Sequence, residues 1–407
     1  GRDRAIAIAH DADVGIRAKG GDYLAEEARG EDRSAEVADA FGIDAIMVAQ
    51  MRRGAAMIDA ERGIGERLAQ FGAVLARNGE QFRLVKEAEV FDYFDRLPLR
   101  SNLHEYPQAM AEFDLPVHTA SWFYRLGDAA EHALLMDNLK ICREVGARVH
   151  NIMTFTHHAD GHKLTDDEVV DHYLQVYDAG MALGVAPSFE LHVNMWTEDF
   201  LQVERVARAV QARGIPFHFT LDYSHVNFKI GNPQELDLSG VRQAVERGEV
   251  VLDPFEPGNL CQRWLDMGMV CWTQLRTVAP NQPPNLWHRL DDAATDPALP
   301  FPATVPEASA QYARGIQYPI TKPAPGEWHS PWSAWQLEPS KEAIRLALRY
   351  HITHPDSPLR YITTEMINLP DYGLGARYNL LQQNIEAAKF VRRAWDETVA
   401  LHAAGLL

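Results

Sequence analysis

Four apolar runs of this chain each end in a polar side chain of the kind that holds a metal ion or moves a proton. The runs close on Glu190, Asp222, Gln274 and Glu365. A buried carboxylate without a hydrogen-bond partner or counter-charge destabilises the fold. Carboxylates that converge also repel one another unless a cation lies among them. Carboxylates with an amide favour manganese, magnesium or cobalt over a thiolate-binding metal. The alternative for each single acid is a salt bridge to a nearby arginine or a helix cap.

Three further polar residues lie next to these run ends. We expect His225 to orient Asp222 or to hold a substrate hydroxyl. His192 could take a similar role one layer further out, or could be a core histidine with satisfied hydrogen bonds. Arg276 is expected to meet a substrate oxygen or anion, or to pair with one of the site carboxylates.

Two other runs end in residues that could contact a substrate. The aromatic residues 122–124 begin with Trp122 and could form a wall that stacks on a substrate, or could simply pack in the core. His157 and His158, with His162 nearby, follow the next run. They could reach the substrate, form a second metal centre, or lie in a solvated loop.

The elements that must position these residues alternate between strand and helix. Predicted strands of this spacing, separated by amphipathic helices, imply right-handed βαβ units and a parallel sheet. Their number favours a closed α/β barrel of the (β/α)8 TIM type, whose active sites lie at the carboxyl ends of the strands. The predicted strands are 115–118, 148–155, 186–193, 217–223, 270–278 and 360–367, and the predicted helices are 129–145, 165–184, 199–212, 341–350 and 386–402.

We interpret residues 1–407 as one barrel domain with an irregular N-terminal segment. Runs 6–9, 45–49 and 82–85 are each candidates for the two strands still needed, and the sequence does not choose between them. Residues 279–340, between strands 7 and 8, hold about half of the 23 prolines. A loop of this length is usually functional or an interaction element, so we predict a lid or a subunit contact. Four tryptophans lie in it: Trp287, Trp328, Trp332 and Trp335.

Composition excludes several classes of protein. The formal net charge of −18 argues against a nonspecific nucleic-acid binder and against binding to anionic lipid, which both depend on basic residues. No apolar run approaches the roughly 20 residues of a membrane span. The three widely spaced cysteines give no disulfide framework and are expected to be buried thiols. Reduced thiols fit a reducing compartment, so we expect a cytoplasmic location.

Three motifs, taken in order, resemble the xylose isomerase-like TIM-barrel superfamily. They are Glu190 with His192, the stretch Leu-Asp-Tyr-Ser-His-Val-Asn at 221–227, and Thr364 with Glu365. This superfamily includes sugar phosphate isomerases/epimerases, ketose 3-epimerases and endonuclease IV-type enzymes. The resemblance covers roughly residues 115–390.

The resemblance implies a metal site and a pair of proton-transferring residues. In the ketose epimerases a Glu, an Asp, a His and a second Glu hold the metal, and the two Glu residues move protons. Carried over, the three acids are Glu190, Asp222 and Glu365. The expected histidine is absent and Gln274 stands in its place, so the fourth ligand is Gln274 or a histidine from the long insertion. The two candidates there are His288 and His329.

The function this implies is isomerisation or epimerisation of a sugar or related polyhydroxy carbonyl compound. The metal, Mn²⁺ before Mg²⁺ or Co²⁺, would stabilise an enediolate while Glu190, Glu365 and His225 act on the substrate. The runner-up is a lyase that cleaves an oxidised (keto) glycoside by β-elimination, which the Trp-rich insertion slightly favours. An endonuclease IV-type phosphodiesterase is disfavoured by the acidic charge. A barrel that only binds its ligand is disfavoured if the acids hold metal. We also expect a homo-oligomer.

Overall fold

A computed structural model describes residues 7–9, 78–281, 317–325, 331–366 and 379–407 of the chain. Its regular elements alternate between strand and helix over most of that length. The strands are β1 (Ala7–Ala9), β2 (Phe94–Asp95), β3 (Val117–Tyr124), β4 (Val149–Thr154), β5 (Ala186–Glu190), β6 (Phe219–Asp222), β7 (Val270–Leu275) and β8 (Tyr361–Thr364).

These strands form one parallel sheet in which neighbours in the chain are neighbours in space. The order is β1-β8-β7-β6-β5-β4-β3-β2, and each described pairing is parallel. The first strand pairs with the last, and β1 and β2, which stand at the two ends of this order, approach each other, so the sheet curls round into a nearly closed barrel. The predicted TIM-type barrel is therefore confirmed.

Helices flank the strands and cover their outer faces. A large cluster of buried apolar side chains from β3 to β8 and these helices forms the core. The helices are α1 (Asn78–Glu87), α2 (Tyr106–Phe113), α3 (Ala129–Val145), α4 (Asp166–Leu183), α5 (Phe200–Gln211), α6 (Ser224–Asn227), α7 (Pro233–Leu238), α8 (Arg242–Glu246), α9 (Leu260–Asp266), α10 (Glu338–Thr353) and α11 (Leu380–Ala403). No helix among the described residues is long and apolar enough to cross a membrane.

Local signals explain why α4 begins and ends where it does. The Thr165 side chain accepts a hydrogen bond from the backbone N–H of Glu168, whose carboxylate accepts one from the Thr165 N–H in return. This capping box satisfies two N–H groups that the helix itself cannot pair. Gly184 ends the helix in the left-handed conformation, with φ of 74°.

The candidate strand at 82–85 was wrong, because these residues lie inside α1. Phe82 and Val85 are both buried, and their spacing of three residues places them on one helical face. The strand at this point in the order is β2, which is only two residues long. Run 6–9 matches β1, and run 45–49 lies outside the described residues.

The far end of the 279–340 insertion is tied to the end of β7. Tyr318 donates its backbone N–H to the Thr277 carbonyl at 2.7 Å, and the Thr277 hydroxyl donates to the Tyr318 carbonyl at 2.6 Å. The insertion also ends earlier than predicted, since α10 already begins at Glu338. Trp332 donates to the Pro319 carbonyl. Trp287 and Trp328 lie outside the described residues.

The cysteines are buried free thiols in separate elements, as expected. Cys142 lies in α3, Cys261 in α9 and Cys271 in β7. Burial raises the pKa of all three thiols, to about 11 for Cys271 and further for the other two. They are therefore protonated and unreactive in the folded chain.

Candidate active site

Three carboxylates converge at the carboxyl end of the barrel. Glu190 ends β5, Asp222 ends β6, and Glu365 follows β8 directly. One oxygen from each lies within 4.8 Å of the others. Glu190 and Asp222 are buried, whereas the Glu365 side chain is 12% exposed. The parallel arrangement explains this convergence, because it brings the carboxyl ends of all the strands to one end of the barrel.

Arg276 partly balances the charge of these acids. Its Nη2 lies 2.5 Å from Oε2 of Glu365 and 3.4 Å from Oδ2 of Asp222. The side chain is buried, so little water screens these pairs. This is the salt-bridge alternative for Arg276, in which one guanidinium is shared between two of the three acids.

Gln274 points its polar end into the same region. The register of the sheet places it opposite Asp222 on β6 and opposite Thr363 on β8. Its amide oxygen is buried and accepts no hydrogen bond from any described residue. A buried carbonyl oxygen without a donor is unfavourable unless a cation or another donor reaches it. Carboxylates with a carbonyl oxygen are the ligands that hard divalent cations prefer, so these residues fit such an ion.

Two buried histidines lie beside the acids. His225 Nδ1 accepts a hydrogen bond from the Val193 N–H at 3.4 Å, which leaves its proton on Nε2, 3.3 Å from Oδ2 of Asp222. The His192 Nδ1–H donates to the Val193 carbonyl at 2.7 Å. The two rings lie 4.2 Å apart, centroid to centroid. His225 thus lies beside Asp222, and both histidines lie close to Glu190, because one ring nitrogen from each and one Glu190 oxygen are within 4.8 Å of one another.

Burial and neighbouring charge separate the protonation states of the two buried acids. Burial, reinforced by Glu365 and Asp222, raises the pKa of Glu190 well above its ordinary value. Burial also opposes the charge of Asp222, but Arg276 and His225 outweigh it and lower its pKa. Burial lowers the pKa of both histidines, so they are neutral near pH 7.

One residue that contacts the site was missed from the sequence. Asn151 in β4 donates its side-chain N–H to Oε2 of Glu190. Its signal was a polar side chain in the middle of an apolar strand, a position that needs a partner. Within the predicted aromatic stretch 122–124, Phe123 lies edge-on to His192, with ring centroids 5.9 Å apart. The Phe123 side chain lies on the opposite face of β3 from that of Trp122, because successive side chains of a strand alternate between its two faces.

Other candidate residues are not brought to this cluster. Trp122 is 5% exposed and packs in the main hydrophobic core. His157 is exposed in the loop after β4, where its Nδ1 lies 2.8 Å from the Thr156 hydroxyl. His288 and His329 lie outside the described residues.

Solved structures with a similar architecture include sugar-converting barrels. The 3-keto-D-glucoside 4-epimerase from E. coli is 16% identical and matches 77% of this chain and 94% of its own, with a TM-score of 0.41. A xylose isomerase domain containing protein from Salmonella typhimurium is 13% identical, covering 79% and 91% with a TM-score of 0.42. A D-allulose 3-epimerase from Methylomonas sp. is 13% identical, covering 79% and 91% with a TM-score of 0.43.

The chain is similar to xylose isomerase-like TIM-barrel proteins. At these identities and TM-scores the likeness transfers no activity to it. No family model matches the chain, and no curated protein matches it.

Proposed function

We propose that this chain is a divalent-metal-dependent isomerase or epimerase of a sugar or related polyhydroxy carbonyl compound. The observation that carries the proposal is the convergence of Glu190, Asp222 and Glu365, each of which places a carboxylate oxygen within 4.8 Å of the others. A divalent cation among these oxygens would offset the repulsion between the carboxylates in their ionised form. The amide oxygen of Gln274, which has no donor among the described residues, supplies a fourth ligand.

In this proposal the metal is held by Glu190, Asp222, Gln274 and Glu365. An oxygen-only ligand set suits Mn²⁺, with Mg²⁺ or Co²⁺ as substitutes. When bound, the ion supplies electrophilic stabilisation of negative charge that develops on a substrate carbonyl and its neighbouring hydroxyl.

The proton transfers are assigned to the two glutamates. Glu190 and Glu365 come from strands β5 and β8, so they approach the mouth of the barrel from different sides. One removes the carbon-bound proton next to the carbonyl, and the other returns a proton on the opposite face or at the adjacent carbon. Asn151 fixes the Glu190 carboxylate through its side-chain N–H. His225 orients Asp222 through its Nε2, or donates that N–H to a substrate hydroxyl instead.

We further propose that residues 279–340 form a lid or a subunit contact at this end of the barrel. The support is the anchor between Thr277 and Tyr318, which fixes the far end of the segment just after β7, close in the chain to Gln274 and Arg276. A lid there would exclude water from an enediolate. The exposed Trp335 side chain, 83% accessible, offers an apolar surface for a second subunit.

Metal content is the first test of the proposal. The purified protein, stripped with chelator and reloaded with Mn²⁺, should hold about one ion per chain by elemental mass spectrometry. Glu365→Gln removes one ligand charge and should weaken binding by more than about 100-fold. Glu397→Gln is the matched control, because Glu397 is exposed on α11. Wild-type protein that takes up no divalent ion under any loading condition refutes the metal mechanism.

Deuterium exchange tests the chemistry. In D₂O, a panel of ketoses and keto-glycosides is incubated with the Mn²⁺-loaded protein and followed by NMR. The proposal predicts deuterium at the carbon next to the carbonyl, with an isomer or epimer as product. An unsaturated product with a released alcohol would instead establish the lyase, in which the same proton abstraction expels a group from the next carbon.

A further inference from the structure

A second cluster of metal-ligand side chains lies outside the mouth of the barrel, in the loop after β4. His158, Asp160 and His162 alternate along this loop, and one ligand atom from each lies within 4.8 Å of the others. Nδ1 of His158 is 3.1 Å from Oδ1 of Asp160, and Nδ1 of His162 is 2.5 Å from the same oxygen. The two imidazole rings stack with centroids 4.8 Å apart.

The loop is a tight hairpin that holds these side chains in place. His157 and Lys163 form an antiparallel bridge, and the His158 N–H donates to the His162 carbonyl at 2.9 Å. The His158 ring also packs directly against Gly127. A Cβ at position 127 would lie only 2.0 Å from its Nε2, so this close approach requires glycine. The loop after β3 thus packs against the His158 ring, and its Leu126 carbonyl accepts the Ala159 N–H at 2.8 Å.

The ligand atoms of the cluster already meet at one carboxylate oxygen. His162 Nδ1 is hydrogen-bonded to Oδ1 of Asp160, and His158 Nδ1 lies 3.1 Å from the same oxygen. Metal ligands are bound in their deprotonated form, so an ion would take the place of the proton that His162 and Asp160 share.

Glu168 completes the cluster from the first turn of α4. Its Oε1 lies 2.7 Å from Nε2 of His162, so it accepts that N–H and turns Nδ1 towards Asp160. The other oxygen of Glu168 is held by the backbone N–H and hydroxyl of Thr165. A carboxylate that accepts the second N–H of a ligating histidine is the usual way in which proteins orient such a ligand.

We propose that His158, Asp160 and His162 bind Zn²⁺, with Glu168 as the positioning residue for His162. Two imidazole nitrogens and one carboxylate oxygen suit zinc, and water takes the fourth position because the His162 side chain is 43% exposed. Zinc bonds of 2.0–2.1 Å need ligand atoms about 3.3 Å apart, so the cluster opens by less than about 1 Å on binding. The ion would hold the two sides of the hairpin after β4 together. The site is independent of the proposed reaction at the barrel mouth.

Zinc titration of four chains tests the site. Wild type, His162→Ala, Asp160→Asn and Glu168→Gln are stripped with chelator and titrated with Zn²⁺ against a competing colorimetric indicator. We expect one more equivalent of zinc in wild type than in His162→Ala and Asp160→Asn. Glu168→Gln should keep the stoichiometry but bind about 10- to 100-fold more weakly.

Matched controls keep the result interpretable. His157→Ala removes the adjacent exposed histidine outside the cluster and should bind zinc as wild type does. Glu365→Gln, which alters the barrel mouth, should retain the loop equivalent, so failure at one site is distinguishable from failure at the other. Equal zinc stoichiometry and affinity in wild type and His162→Ala, with both chains folded by circular dichroism, overturns the proposal.

Discussion

Replacing Arg276 by methionine separates the roles of the guanidinium and of a metal ion among the three acids. At an effective dielectric constant of 20, a unit charge pair at 2.5 Å attracts by about 7 kcal/mol and one at 3.4 Å by about 5 kcal/mol before desolvation is counted. These are the distances from Arg276 to Glu365 and to Asp222. Desolvation offsets much of this, and breaking a buried pair costs about 3–5 kcal/mol because the partner charge is left uncompensated.

We therefore expect metal-free Arg276→Met to lose about 3–5 kcal/mol of unfolding free energy. Mn²⁺ should restore most of it. A ligand present at 1,000 times its dissociation constant raises the unfolding free energy of the protein that binds it by about 4.1 kcal/mol. The variant should also bind Mn²⁺ more tightly than the wild type does, because the positive charge that repels the ion is gone. Metal and guanidinium thus compete to neutralise the same carboxylates.

The assay is urea unfolding in chelator and in saturating Mn²⁺, followed by tryptophan fluorescence and by circular dichroism, whose transitions must coincide. Arg242→Met is the control, since Arg242 pairs with Asp237 at the surface, where water and salt screen the pair, and this variant should keep nearly the wild-type urea midpoint in either buffer. The reasoning is refuted if Arg276→Met loses under 1 kcal/mol in chelator, or if Mn²⁺ does not narrow the gap to wild type.

Three further perturbations follow from other buried groups. Burial raises the pKa of Asp95 from 3.8 to about 7, so the folded chain favours the protonated carboxyl. The unfolding free energy of the wild type should therefore fall by up to about 4 kcal/mol as the pH rises from 4 to 7. Urea unfolding of Asp95→Asn should show a much smaller fall over the same range, because an amide does not ionise. Lys229→Met leaves the Glu198 carboxylate, 2.7 Å from the buried ammonium, without that cation and should cost about 3–5 kcal/mol in the same assay. Trp122→Ala should cost about 3–5 kcal/mol of stability, whereas Phe123→Ala should chiefly raise KM; the reverse pattern would place Trp122 at the substrate.

The sequence predicts the part of the fold that depends on repeating apolar patterns. The helix predicted at 129–145 from its apolar spacing matches α3 residue for residue, and the structure shows Asp128 capping its first turn and Gly146 ending it. The segment 82–85 was misinterpreted, because four residues hold too little pattern to separate a helical face from a strand. Strand β2 was missed because two residues carry no periodicity at all.

The convergence of the acids followed from topology, but the contacts around them did not. Parallel strand ends meet at one end of a barrel, so Glu190, Asp222 and Glu365 could be placed together before any coordinates. The hydrogen bond from Asn151 to Glu190 forms only if the Asn151 side chain lies on the face of β4 that points towards Glu190. Packing of the whole sheet decides which face that is. The same limit applies to the aromatic stretch 122–124, because the sequence does not tell that Phe123 contacts His192 while Trp122 packs in the core.

The three buried thiols can report on local opening in three parts of the protein. Cys142, Cys261 and Cys271 lie in a helix, a different helix and a strand, and none can react with an alkylating reagent until its own surroundings open. Their labelling rates therefore report the opening free energy of three separate parts of the barrel. Equal rates, measured by peptide mass spectrometry, mean that the barrel opens as one cooperative unit. Faster labelling at one cysteine identifies the sector that yields first.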